Sequence, residues 1–124
     1  MGALLRAVRI PLPWDEFDLP NPLMTRSTVL LTGEIAWAWE PEAPDFGIDA
    51  CDPVAGAAAE GWDLDHVVLL VADLDDAVAT MQGIGAEPRL RLAVRGRPTA
   101  FFRVGPLLEV IESPVRAPAL FGVA

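Results

Sequence analysis

Three features of the chain predict an α+β fold. Residues 64–71 are rich in Val and Leu with no helical period, and residues 74–81 place Leu74, Ala77, Val78 and Met81 at helical spacing. After residue 89 come three short alternating or apolar segments separated by turns. The order they predict is β-α-β-β-β over residues 63–114. An irregular, β-rich segment precedes it over residues 1–62, and residues 115–124 follow as a linker or the start of a further strand.

Each element has its own physical cause. The run 64–71 is rich in β-branched residues and Leu with no helical period and reads as a buried strand. Asp73 can cap the helix that follows, Asp75 and Asp76 place negative charge on its first turn, and Gly83 and Gly85 can take the backbone conformation that ends it. The apolar stripe Leu74, Val78 and Met81 is expected to pack against the inward residues of segments 64–71 and 90–94. Residues 89–94 alternate, with Arg89, Arg91 and Ala93 on one face and Leu90, Leu92 and Val94 on the other. Residues 95–98 (Arg-Gly-Arg-Pro) form a turn, residues 99–104 a strand, Gly105-Pro106 another turn, and residues 107–112 the last strand.

The first half is different in kind. It holds all 4 Trp and 7 of the 12 Pro, which limits it to short strands because Pro lacks the ladder donor. The candidates are residues 5–10 and the pair 28–31 and 34–40, joined through Thr32-Gly33 as a hairpin. In the last of these, Ile35, Trp37 and Trp39 share one face and Glu34, Ala36, Ala38 and Glu40 the other, so one face must be buried. The alanines at 57–59 read as one helical turn or a linker.

Composition narrows the function. The 124 residues carry 9 Arg, no Lys and 18 acidic side chains, a net charge of −9, which disfavours a nucleic-acid partner because phosphate binding needs clustered positive charge. The single cysteine, Cys51, makes no intrachain disulfide and has no basic sequence neighbour to activate it. The longest apolar run, residues 67–72, falls far short of the roughly 20 residues of a membrane helix. With no targeting signal legible, no membrane association is expected and the cytoplasm is the default compartment.

The segment 64–77 (Leu-Asp-His-Val-Val-Leu-Leu-Val-Ala-Asp-Leu-Asp-Asp-Ala), followed by Ile84-Gly85-Ala86 and closed by 107–112 (Leu-Leu-Glu-Val-Ile-Glu), resembles a module of the vicinal oxygen chelate superfamily. That superfamily includes glyoxalase I, the bleomycin-resistance proteins and the extradiol dioxygenases. The resemblance implies paired βαβββ modules whose curled sheets form a cup for a small ligand and, in metal-using members, a divalent ion. Carried over residue by residue, it implies His66 as the first-strand metal ligand and Glu109 as the last-strand one. Imidazole and carboxylate suit Zn, Fe, Mn or Ni, whereas many relatives bind ligands with no metal. A bound metal would polarise a substrate oxygen or position dioxygen. Without a metal, His66 is a hydrogen-bonded strand residue, and Glu109 pairs with an Arg or faces solvent.

Other side chains carry two readings each. Arg89 and Arg91, if they line the cup, favour an anionic ligand; if they face water, they keep the sheet soluble. Arg103 either reaches into the cup as a ligand-binding group or pairs with Glu109 or Glu112. Trp37 and Trp39 are core or subunit-interface anchors, or a stacking wall for an aromatic ligand.

The expectation is a small-molecule-binding protein of the glyoxalase, bleomycin-resistance and dioxygenase type. It is either a metal-dependent lyase or dioxygenase, a metal-free sequestering or sensing protein, or an inactive truncated relative. One module supplies two ligands where a metal site needs three or four. Residues 1–62 could supply a divergent half-module, but their proline spacing leaves no room for a counterpart helix. The expected way to complete the cup is therefore a homodimer with module facing module, or with a tail strand exchanged between subunits, and with Trp37 or Trp39 in an apolar interface.

Overall fold

The computed structural model describes residues 3–11, 16, 19–52, 56–57 and 64–123. The protein is α+β, with nine strands in two mixed sheets and one helix among these residues. Trp14, Trp62, and the alanines at 58 and 59 lie outside them.

The first sheet contains β1 (Leu4–Ile10), β2 (Leu23–Met24), β3 (Val29–Thr32) and β4 (Ala36–Glu40), in the order β2-β3-β1-β4. Strand β1 runs parallel to β3 and antiparallel to β4. The expected hairpin of segments 28–31 and 34–40 therefore does not form, because β1 lies between them. Ala7 and Val8 point to opposite faces and both are fully buried, so β1 is a central strand that needs a partner along each edge. The chain crosses the end of β1 at Gly33, whose N–H donates to the Ile10 carbonyl at 3.2 Å. A Cβ at Gly33 would stand 3.0 Å from Cδ of Arg9, and Arg9 Nε donates to the Glu34 carbonyl at 2.7 Å.

Strand β4 buries both of its faces. Trp37 enters the main core, while Ala38 packs with Ala7 and Val29 on the reverse side, where Cys51 also lies. The outer edge of β4 is covered by the Asp49 carbonyl, which accepts from Trp37 N–H at 3.0 Å, and by Cys51 N–H, which donates to the Trp37 carbonyl at 3.0 Å.

The second sheet contains β5 (His66–Val71), β6 (Leu90–Val94), β7 (Arg97–Arg103), β8 (Leu107–Glu112) and β9 (Ala119–Val123), in the order β6-β7-β8-β5-β9. Here β5 is parallel to β8 and antiparallel to β9. The two sheets repeat one pattern: a first strand takes a parallel neighbour on one side and an antiparallel neighbour on the other. Residues 119–123 thus close the second sheet as an edge strand.

Helix α1 (Leu74–Gly83) starts at Asp73, whose carboxylate accepts the Asp76 N–H at 3.1 Å, and it buries Leu74, Ala77, Val78 and Met81. These side chains share one core with Val67, Leu69 and Val71 of β5, Leu108 and Val110 of β8, and Ala100 and Phe102 of β7. Residues 90–94 do not supply that core, contrary to the sequence expectation. Pairing of Leu90 with Phe101 and of Leu92 with Thr99 turns both leucines to the face away from α1, where they are 55% and 43% exposed.

The sheets meet where Leu5 N–H donates to the Val104 carbonyl at 2.8 Å, and the core runs through the junction from Leu5, Val8 and Trp37 to Val104 and Leu108. No helix among the described residues is long and apolar enough to cross a membrane.

Candidate functional site

Strand alternation and register place the candidate residues. On β5, Val67, Leu69 and Val71 face α1, so His66, Val68 and Leu70 face the other way. On β8, Leu108 and Val110 face α1, so Leu107, Glu109 and Ile111 share the face of His66. Phe101 lies opposite Glu109 and Arg103 opposite Leu107, and Leu90 and Leu92 extend the same surface on β6. The outcome is a broad face, mostly apolar, buried at Thr99 and half-buried to exposed elsewhere, with polar groups gathered at the His66 end.

His66 and Glu109 stand 43 positions apart in the chain, yet His66 Nε2 lies 3.7 Å from Glu109 Oε2. The parallel β5–β8 pairing brings them together, with Glu109 directly opposite Val68, two positions along from His66. The distance is too long for a hydrogen bond. On the other side of the ring, Nδ1 lies 3.3 Å from Asp65 Oδ2. A proton on Nδ1 directed at Asp65 leaves the Nε2 lone pair facing Glu109, the arrangement a metal-binding imidazole uses. The side chains of His66 and Glu109 are 31% and 16% exposed, so the pair is partly screened yet reachable.

As metal ligands these two donors fit in chemistry and fall short in number. Among the described residues no group of three or more His, Cys, Asp or Glu is arranged to hold an ion.

The remaining candidates separate. Arg103 is exposed on the face of Glu109 but pairs with neither Glu109 nor Glu112. Arg91 lies on the helix side, its guanidinium 2.7 Å from Asp75 of α1, so it does not belong to the open face, and Arg89 lies just before β6. Trp37 is 1% exposed and packs edge-on against Trp39 with centroids 5.2 Å apart, which leaves it no surface for a ligand or a partner. Trp39 is partly buried against the same core. Cys51 is half-buried, and desolvation pushes its thiol pKa up, more than the nearby Arg9 lowers it.

Clefts also lie elsewhere among the described residues. One of about 220 Å³ is lined by Asp45, Phe46, Asp73, Asp76 and Arg116 at the start of α1, and one of about 370 Å³ by Arg97, Glu112 and Ser113. Neither includes His66 or Glu109.

Phe101 is the member of the open face that the sequence reading did not single out. Alternation within β7 joins it to Arg103, but only the β7–β8 register sets it beside Glu109. Compared with protein-family models, with curated proteins and with solved structures, the chain matches none.

Proposed function

We propose that the open face of the second sheet binds a small molecule, with His66 and Glu109 as its polar anchor. In this reading the chain is a glyoxalase-like, bleomycin-resistance-like or dioxygenase-like protein, and residues 63–114 are its βαβββ module. The observation that carries it is the 3.7 Å approach of His66 and Glu109 on an exposed apolar face. A partly buried carboxylate costs free energy unless something compensates it, and an ion held between the two side chains would do so. The side-by-side, parallel arrangement of β5 and β8, the first and last strands of that module, supports the same reading.

When bound, a divalent ion would act as a Lewis acid on a substrate oxygen. His66 and Glu109 would hold it, and Asp65 would orient the imidazole. A second copy of the chain, facing the first across the open surface, would raise the donors from two to four and cover the exposed leucines. The repeat of strand pattern in the first sheet supports the other route to a complete cup, in which residues 1–62 serve as a divergent half-module.

A second reading is favoured by the shortage of donors among the described residues: the face binds its ligand without metal, as a sequestering or sensing protein would. Calorimetric titration with Zn, Mn and Ni, alongside elemental analysis of the purified protein, separates the two. Metal-dependent binding predicts stoichiometric uptake that His66→Ala and Glu109→Gln each abolish. Metal uptake unchanged in His66→Ala would remove the ligand assignment.

A further inference from the structure

The proposed site contains a cation that the protein leaves without a partner. Arg6 is paired with Glu40, Arg91 with Asp75, Arg97 with the Ser113 hydroxyl, and Arg9 with the Glu34 carbonyl. Among the described residues Arg103 has neither an ion pair nor a side-chain hydrogen bond, and Arg89, Arg95 and Arg116 share this, but of these four only Arg103 is set in a strand, on the face of Glu109, in a chain with twice as many acidic as basic side chains. Its diagonal neighbour across β7 and β8 is Glu109. Diagonal pairs stand about 7–8 Å apart at Cα, within reach of a side chain as long as Arg. Glu109 is turned instead to His66, at 3.7 Å. The guanidinium therefore stays exposed beside Phe101, on the face of the sheet opposite α1.

Building on the proposed small-molecule site, we infer that its ligand is an organic anion, gripped by Arg103 and lying with an apolar body over Phe101 and Leu90. A planar guanidinium donates two parallel N–H bonds to a carboxylate, phosphate or sulfonate, which a point charge would not orient. Arg103, Leu107 and His66 stand in one row across β7, β8 and β5. Two strand spacings separate the first from the last, about 10 Å at Cα. The ligand so defined carries its anionic group at one end and an oxygen or nitrogen for the His66–Glu109 pair within that span of the other. Arg97 sits on the same face at the far end of β7, already engaged by Ser113, and serves as a control.

Two fluorescent probes with one aromatic body test this: 8-anilinonaphthalene-1-sulfonate, an anion, and N-phenyl-1-naphthylamine, which is neutral. The full chain should bind the anion more tightly than the neutral probe. Arg103→Gln should weaken the anion about tenfold, the scale of a lost charge-assisted pair, and leave the neutral probe unchanged. Arg103→Lys should recover part of the loss, and Arg97→Gln should change neither probe. Circular dichroism checks that each variant is folded. Equal binding of both probes, or an equal effect of Arg103→Gln on both, overturns the anion assignment and leaves the ligand face standing. Failure of the wild-type chain to bind either probe overturns both.

Discussion

The Glu112 carboxylate at the end of β8 accepts the backbone N–H of Leu74, the first residue of α1, at 3.0 Å. The two residues are 38 positions apart, and the bond ties the last strand of the β-α-β-β-β unit to the start of its helix. A free amide at a helix N-terminus attracts negative charge, so Glu112 adds to the cap that Asp73 already provides. Its side chain points to the α1 side of the sheet, whereas Glu109 points to the open side. Two glutamates of one strand thus do different work, and neither pairs with Arg103.

Removing that cap should loosen the helix without disturbing the open face. Glu112→Ala is expected to cost about 1–2 kcal/mol, and Glu112→Gln less, because the amide keeps an acceptor. Urea denaturation of the two variants measures it, and metal or probe binding should be unchanged.

The docking of α1 is tested at Val78, which is 6% exposed in the common core. Val78→Asp places an unpaired carboxylate there and should destabilise the fold by about 3 kcal/mol or more. A change within about 0.5 kcal/mol, the range usual for surface sites, would mean that α1 is not packed on β7 and β8.

Association is tested on the open face. Leu90 and Leu92 are large apolar side chains exposed in the single chain, and a facing second copy would cover them. Light scattering at micromolar concentration should report a dimer for the wild-type chain and a monomer for the double variant Leu90→Asp, Leu92→Asp. A wild-type monomer would remove the two-fold cup and leave the first sheet as its other wall. Trp37→Phe should alter stability and leave the oligomeric state unchanged, since Trp37 is enclosed within the chain.

Cys51 should alkylate slowly at neutral pH. Desolvation raises its pKa, so less thiolate is present at a given pH than for an exposed cysteine, and the rate should climb only at higher pH than for a free thiol. Arg9→Gln removes the nearby positive charge that favours the thiolate, and should move the pH profile of iodoacetamide labelling further upward. A downward movement would show that Arg9 does not act on Cys51 through its charge.

The sequence by itself determined the local elements of the second half. Period, capping and turn chemistry act over a few residues, so Asp73 as N-cap, the buried stripe Leu74–Val78–Met81 and the order β-α-β-β-β could be read directly. The same logic failed for the hairpin in the first half. Alternation in segments 28–31 and 34–40 states that each is a strand, but nothing in it reveals that β1 has two apolar faces to cover and separates them. Tertiary structure decided everything that depends on register. The pairing of Leu90 with Phe101 turned the leucines outward and Arg91 toward Asp75. The parallel pairing of β5 with β8 set His66 against Glu109 and left Arg103 alone beside them. A slip of one residue in either ladder would reverse every one of these faces, and register follows from the packing of whole sheets.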